Sequence, residues 1–158
     1  MLHSQKGVSL IITFFIMTIM LAIVLSVSVI LLSEIKVMGN IGNAVQSFYS
    51  AESGSEKVLY FDRKQIPNGY ARGICNICNT CGSADCTHCI TTPITYNGCN
   101  LQTCNNCEIT YDAIFEDKNY SVNAKVKPNL SGGVTFTVDS KGVYKETTRA
   151  IETISINP

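Results

Sequence analysis

The sequence predicts an α+β protein in which a long N-terminal helix precedes a cysteine-rich loop and a C-terminal antiparallel β-sheet. Three observations support this fold class. An uncharged, mostly apolar run covers Val8–Leu32, all eight cysteines of the 158 residues lie from Cys75 to Cys107, and the residues that follow often alternate between apolar and polar side chains. Lys plus Arg and Asp plus Glu both total 12, so the balanced charge gives no reason to predict nucleic acid as a partner.

The apolar run is long enough to cross a membrane as a helix. At about 1.5 Å per residue, a helix over Val8–Leu32 exceeds the roughly 30 Å thickness of the bilayer hydrocarbon. Its Ser and Thr hydroxyls can bond to backbone carbonyls one turn earlier. Lys6 precedes the run, which favours an N-terminus in the cytoplasm, and the run is too long for a secretory signal peptide that is cleaved after it. The sequence therefore predicts a single-pass membrane protein.

The helix is predicted to continue beyond the membrane. Apolar residues recur there every three or four positions, which is typical of an amphipathic helix. Pro67-Asn68-Gly69 is a turn sequence, so the helix should end between Tyr60 and Arg63. The predicted segments are a leader over 1–7, a membrane-spanning half over 8–33, an amphipathic half over 34–63 and a globular head over 64–158. The predicted stripe consists of Met38, Ile41, Val45 and Phe48, extended by Ala44, Ala51, Val58 and Leu59.

The C-terminal residues 108–158 predict a β-meander. They are rich in Thr, Val, Ile and Tyr, and turn sequences separate the apolar stretches. The last predicted strand is long for one strand and is expected to break near Thr147–Arg149. Turns are predicted at 117–119, 128–133 and 139–142. The predicted strands are Glu108–Phe115, Tyr120–Val126, Val134–Val138 and Val143–Ile156.

The cysteine-rich insert, 75–107, allows two kinds of chemistry. Four disulfides are one, with about 105 possible pairings; two zinc sites of four thiolates each are the other, because C-x-x-C spacing suits tetrahedral zinc. A head outside the cytoplasm lies in an oxidising compartment, which favours disulfides. The first prediction is therefore four disulfides and no metal or other cofactor, and the alternative is zinc. His88 is interpreted as an exposed loop residue. The cysteines are Cys75, Cys78, Cys81, Cys86, Cys89, Cys99, Cys104 and Cys107.

Two motifs carry a family resemblance. Lys6-Gly7 followed at once by the apolar run from Val8 resembles the prepilin peptidase site of type IV pilins and type II secretion pseudopilins. Further on, Met38-Gly39-Asn40 and the stretch from Phe48 to Gly54 resemble the corresponding pattern of PilX-like minor pilins. The resemblance covers about the first 60 residues, and the cysteine-rich insert matches no family pattern.

The resemblance implies a maturation and an assembly. Prepilin peptidase would cleave between Gly7 and Val8, and the new amino terminus could be methylated. The first half of the helix would lie in the inner (cytoplasmic) membrane before assembly, and the sheet would pack on its amphipathic half. It would then join other pilin subunits, through an inner-membrane assembly platform, in a periplasmic or extracellular filament.

One residue departs from the pattern of most major pilins, which carry a glutamate five residues into the mature chain. Ile12 occupies that position here. A carboxylate in lipid is costly unless it is paired, and in those pilins it is thought to neutralise the terminal amine of a neighbouring subunit. A subunit at a filament tip has no neighbour ahead of it, so Ile12 favours a minor subunit over the main shaft subunit.

The resulting hypothesis is a non-catalytic minor pilin or pseudopilin, which primes or caps a filament used for secretion or cell adhesion and displays a cysteine-stapled head. The alternative is a single-pass membrane-anchored, cysteine-rich domain that binds zinc or is thiol-active. No catalytic residues are predicted. The sequence has two histidines, and it shows neither the catalytic residue sets of common hydrolases nor a phosphate-binding loop.

Overall fold

The computed structural model of the chain describes residues 5–82, 86–96, 98–130 and 132–157, with the backbone alone at 5–7, 115 and 157. It divides into two compact units, Met1–Ile41 and Gly42–Pro158. The first helix, α1, spans Gln5–Lys64 and contributes residues to both units. Its end lies just beyond the predicted end between Tyr60 and Arg63, within the usual scatter of helix boundaries.

The first unit is an apolar helix with exposed side chains. Its large hydrophobic residues from Val8 onward are each at least half exposed. The predicted hydroxyl bonds are present: Thr18 Oγ1 donates to the carbonyl of Phe15 at 2.8 Å, and Ser26 Oγ donates to that of Ala22 at 2.9 Å. The hydroxyls of Thr13, Thr18, Ser26 and Ser28 are therefore all satisfied by the helix's own backbone, which is what an apolar solvent would require of them.

The second unit is an α+β head, which confirms the predicted fold class. The residues of α1 from Gly42 to Lys64 pack on one face of a five-stranded antiparallel sheet of order β1-β2-β3-β4-β5. Along the chain, α1 is followed by a short 3-10 helix, Ile74–Asn76, and a one-turn helix, α2, Ile77–Thr80, before the first strand begins. The strands are β1 Thr87–Pro93, β2 Cys107–Phe115, β3 Lys118–Pro128, β4 Val134–Tyr144 and β5 Thr147–Asn157.

The core lies between α1 and the inner face of the sheet. Alternate residues of the central strands point to this face and are buried, as the two-residue period of a strand requires. Tyr111 and Phe136 are the largest fully buried side chains. The inner face is built mainly from Ile109, Tyr111, Ala113, Tyr120, Val122, Ala124, Val126, Phe136 and Val138.

Helix α1 approaches the sheet closely through small residues. A Cβ atom added at Gly54 would overlap the hydroxyl of Ser140, and one added at Gly142 would overlap the backbone of Ser47 and Ala51. Only residues without a large side chain allow backbones to meet at such a distance. The seam between helix and sheet is therefore narrow, and its small residues recur every three or four positions along α1.

The predicted apolar stripe of α1 is only partly the buried one. Ala51 and Val58 are fully buried, whereas Val45 and Phe48 are each 46% exposed. Small polar residues take several of the buried positions instead, because helix and sheet approach each other closely around Gly54 and Gly142. The buried polar residues of this part of α1 are Ser47, Ser50, Ser55 and Asp62.

The sheet differs from the predicted meander in two places. The predicted turn at 139–142 is wrong: these residues lie inside β4, where Ser140 and Gly142 face the helix. The small side chains that suggested a turn serve the close helix contact. The chain instead turns at Lys145 and Glu146, just before the predicted break near Thr147–Arg149.

The second difference is that the cysteine-rich insert is not all loop. It contains α2 and the strand β1, which adds to the edge of the sheet beside β2. The pairing of β1 with β2 shifts between Thr87 and Ile90, and His88 in this bulge has a positive φ of 50°. The large apolar residue of β1, Ile90, is 58% exposed, and Cys89 and Thr91 occupy the less exposed positions beside it, so the strand pattern could not be recognised from the sequence.

Candidate functional site

The disulfide-linked segment, residues 73–107, is the part of the head with the most distinctive chemistry. Backbone hydrogen bonds tie both its start and its later part to the preceding chain. The amide of Gly73 donates to the carbonyl of Asp62 at 3.3 Å, and the amide of Ala71 donates to the carbonyl of Gln102 at 3.2 Å. Ile74 and Ile77 are fully buried in the core. The segment is thus part of the head's hydrophobic core as well as a surface feature.

All eight cysteines form disulfides, which confirms the prediction of a disulfide-linked insert. The bonds differ widely in the length of chain that they close, from a sequence separation of 29 residues to one of 5. Spacing alone could not identify the pairing, because C-x-x-C cysteines here bond to distant partners and not to each other. The bonds are Cys75–Cys104, Cys78–Cys89, Cys81–Cys86 and Cys99–Cys107.

Two of the disulfides belong to the core. Cys75, Cys104 and Cys107 are buried among the hydrophobic residues, and Cys99 packs against them. The bond Cys75–Cys104 joins the 3-10 helix to the chain before β2, and Cys99–Cys107 closes the loop that enters β2. These bonds fix the position of the insert on the sheet.

The other two disulfides join α2 to the start of β1. Cys78 and Cys81 come from α2 and its C-cap, Cys86 immediately precedes β1, and Cys89 is the third residue of β1. Cys86 is buried at the core, and Cys78, Cys81 and Cys89 are partly exposed, whereas three of the four cysteines of the first two bonds are buried. These bonds are therefore nearer to solvent than the core pair.

A buried ion pair supports the start of the insert. Arg72 Nη1 lies 3.4 Å from Asp62 Oδ2, both side chains are nearly buried, and the guanidinium is 5.5 Å from the centroid of the Phe136 ring. Asp62 Oδ1 has no hydrogen-bond partner among the described residues. Burial raises the pKa of Asp62, an effect that the charge of Arg72 opposes. The sequence offered no signal for this pair, since ten residues and a turn separate its members.

The outer face of the sheet forms an open depression of about 740 Å³. Its lining carries both signs of charge: Lys141 lies among Asp112, Asp139 and Glu152, and His88 Nδ1 is 3.5 Å from Asp112 Oδ2. His88 is 83% exposed, in agreement with its interpretation as an exposed residue. The depression is a mixed polar surface without a concentrated positive field.

An ion pair and a hydrogen bond organise the polar residues beside this depression. Asn123 Nδ2 donates to Glu108 Oε1 at 2.7 Å, and Lys125 Nζ is 3.4 Å from the same oxygen. The hydrogen bond from Asn123 lowers the pKa of Glu108, and Lys125 adds to the effect. Arg149 pairs in register with Gly142, which places it on the helix side of β5, opposite to Lys125. The basic residues of the sheet therefore do not share one face.

The apolar helix is the second functional feature. The residues from Val8 onward are long and apolar enough to cross a membrane, and none of the most apolar window is buried. This exposure distinguishes the segment from the core helix of a soluble domain. Gly7 and Val8, the predicted cleavage position, lie within α1, as does Ile12. Of the predicted leader, residues 1–4 lie outside the described part of the chain.

The head's part of α1 also presents an exposed aromatic stripe on the side away from the sheet. We call Val45, Phe48, Tyr49 and Tyr60 the helix stripe; each is about half exposed. The Phe48 and Tyr49 rings contact each other edge to face, with centroids 6.2 Å apart. Large apolar side chains grouped on a surface are typical of interaction sites.

With its cysteines oxidised, the described part of the chain contains no group of three or more His, Cys, Asp or Glu side chains that could hold a metal ion. Comparisons with protein-family models, with curated proteins and with solved structures found no match.

Proposed function

We propose that the protein is a minor pilin or pseudopilin, a structural subunit that primes or caps a filament outside the cytoplasm. The observation that carries the proposal is the junction of Lys6-Gly7 with the uninterrupted apolar stretch of α1 that begins at Val8. A cleavable leader followed directly by a membrane helix, with a head domain at its far end, is the arrangement that the resemblance to pilins implies.

The exposure of the helix supports assembly through it. In the unit that begins at Gly42, the helix stripe faces away from the sheet, so a second helix can pack there without disturbing the core. In the unit up to Ile41, the apolar side chains suit lipid before assembly and neighbouring helices after it. The proposed partners are other pilin subunits, prepilin peptidase and the assembly platform of the inner membrane.

The residue at position 12 supports a minor role. Ile12 cannot attract the amine of an adjacent subunit within the membrane, as the glutamate of most major pilins is thought to do. We therefore place the subunit at or near the tip, in few copies per filament. The disulfide-linked head would then be displayed where it meets other molecules.

The proposal is tested by following the chain into the filament. In cells that make the intact chain, filaments sheared from the surface, or pseudopili if these form instead, should contain the processed protein in small amounts. Gly7→Leu should block cleavage and leave the full-length chain in the inner membrane, because a large side chain replaces the glycine at the cleaved bond. The measurement is immunodetection of the chain in filament and membrane fractions.

Gln5→Ala is the matched control, because it changes the same predicted leader without altering Gly7 or Val8. It should be processed and assembled as the unchanged chain is. If the Gly7→Leu chain were to enter filaments as efficiently as the control, the helix would not depend on leader removal, and the pilin proposal would be wrong.

A further inference from the structure

The two solvent-near disulfides connect a pair of C-x-x-C sequences that face each other. Cys78 and Cys81 are three residues apart on α2 and its C-cap, a spacing that puts both on one side of a helical turn. Each bonds to a cysteine of the second C-x-x-C sequence, formed by Cys86 and Cys89. Along the sequence, the disulfide Cys81–Cys86 is therefore nested within the disulfide Cys78–Cys89.

The bulge in β1 allows this arrangement. In a regular strand, residues three apart point to opposite faces of the sheet. Here the register shifts between Thr87 and Ile90, with a positive φ at His88, so that Cys86 and Cys89 can both turn towards α2. A bulge commonly redirects a side chain in this way. The two disulfides therefore join the same two stretches of chain, at cysteines that are three residues apart in each stretch.

We propose that Cys78, Cys81, Cys86 and Cys89 form a tetrahedral zinc site when their two disulfides are reduced or have not yet formed. Thiolates about 2.3 Å from a tetrahedral zinc ion lie about 3.8 Å from one another. Within the two bonded pairs the Cα atoms are 5.3 and 5.5 Å apart, so side-chain rotation can separate the two thiolates of each pair to that distance. Between the pairs, the C-x-x-C spacing is the one by which neighbouring cysteines commonly bind the same zinc ion. Thr91 Oγ1 lies 3.3 Å from Cys78 Sγ and can donate a hydrogen bond to the thiolate.

The chemistry balances as follows. Reduction of both disulfides by a phosphine or a dithiol takes up four electrons and four protons and yields four thiols. Zinc then binds the four thiolates and releases four protons. A newly made chain that has not been oxidised has its thiols already and requires no reductant. Zinc and the two disulfides are thus alternative cross-links between α2 and β1.

The other four cysteines form a poorer site. They include a single C-x-x-C sequence, Cys104 to Cys107, and three of the four residues are buried in the core, compared with Cys86 alone among the proposed ligands. A reductant reaches buried disulfides slowly, so mild reduction should open the pairs between α2 and β1 first. Cys75–Cys104 and Cys99–Cys107 would then hold the insert on the sheet while zinc binds.

The test uses the full chain in detergent micelles and does not depend on whether the protein is a pilin. The chain is reduced stepwise with a phosphine, the opened bonds are mapped by alkylation and mass spectrometry, and Zn²⁺ is added. Native mass spectrometry then counts the bound metal, and Co²⁺ substitution reports thiolate ligation in a tetrahedral site. We expect one metal ion per chain once Cys78–Cys89 and Cys81–Cys86 are open.

Two variants locate the site. The double variant Cys81→Ser, Cys86→Ser removes two ligands and should weaken zinc binding by more than the roughly 10–100-fold that loss of an outer-shell partner costs. His88→Asn is the control, because it removes the imidazole that lies between Cys86 and Cys89 in the sequence while Asn tolerates the positive φ of this position; it should bind one zinc ion as the unchanged chain does. Mapping of Cys75–Cys104 and Cys99–Cys107 in each variant verifies that the head is folded.

Three results would overturn the proposal. They are no bound metal after the two bonds open, a second zinc ion bound equally tightly, or unchanged zinc affinity in the folded Cys81→Ser, Cys86→Ser variant.

Discussion

At the scale of single residues, the head depends on a charge pair that the core only partly satisfies. Asp62 and Arg72 are both nearly buried, and one carboxylate oxygen lacks a hydrogen-bond partner among the described residues. Burial raises the pKa of Asp62 above its ordinary value of 3.8, so the native chain holds a proton at pH values where the unfolded chain has lost it. By linkage, this group adds stability as the pH falls through the raised pKa and removes it as the pH rises.

Replacing Arg72 by leucine tests how much the head depends on the pairing of this residue with Asp62. Arg72→Leu leaves the buried carboxylate of Asp62 without its cation, and the loss should be about 3–5 kcal/mol in the free energy of unfolding at pH 7. The loss should shrink as the pH falls, because the carboxylate becomes protonated. Denaturant unfolding of the full chain in micelles at several pH values measures this.

Arg149→Leu is the matched control, because Arg149 is exposed on β5. Its effect should stay within about 0.5 kcal/mol. An Arg72→Leu loss that did not change with pH would contradict the assignment of the effect to the Asp62 carboxylate.

The glycines of α1 have opposite roles. A methyl group added at Gly54 would overlap Ser140, whereas one added at Gly42 would meet no atom within 4 Å. We predict that Gly54→Ala destabilises the head, by about 1–3 kcal/mol for overpacking, and that Gly42→Ala stabilises α1 by up to about 1 kcal/mol. Thermal and denaturant unfolding of the two variants tests this. Equal effects of the two substitutions would contradict the close contact between helix and sheet at Gly54.

At the scale of elements, local sequence patterns predicted the helix and strands whose formation depends on residues close to one another in the sequence. Alternation located β2, β3 and most of β5, and the apolar run located the first half of α1. Asp139-Ser140-Lys141-Gly142 was misread as a turn because small residues favour both turns and close backbone contacts. The two uses differ only in what lies opposite, which for Gly142 is Ser47 and Ala51 of a helix about ninety residues earlier.

The disulfide pairing belongs to this scale as well. In the chain-entropy description, a bond stabilises the native state more when it closes a longer loop. Separations of 29 and 5 residues correspond to about 3.6 kcal/mol for Cys75–Cys104 and about 2.1 kcal/mol for Cys81–Cys86. The buried bond also packs in the core, which widens the difference.

We therefore predict that Cys75→Ala with Cys104→Ala destabilises the head more than Cys81→Ala with Cys86→Ala does. Denaturant unfolding of each pair of substitutions in the full chain provides the comparison. If removal of the bond near solvent were the more damaging change, the insert would be held mainly through α2 and β1 and not through the core cysteines.

At the scale of the whole molecule, the chain consists of an exposed apolar helical unit up to Ile41 and a disulfide-linked α+β head from Gly42. Composition foretold both, because an uncharged run and a dense set of cysteines are each rare in an ordinary soluble core. The buried pair of Asp62 and Arg72, the depression on the outer face and the bonding partners of the cysteines could not be foretold. Each depends on residues that come together only in the folded head.

The central claim is that the mature chain begins at the apolar helix. Its most direct test is the intact mass of the protein from its native membrane, together with sequencing of its first residues. We predict a chain that starts at Val8, carries a methylated amino terminus and has four disulfides. A chain that still begins at Met1 would contradict the pilin proposal and would favour a membrane-anchored cysteine-rich domain.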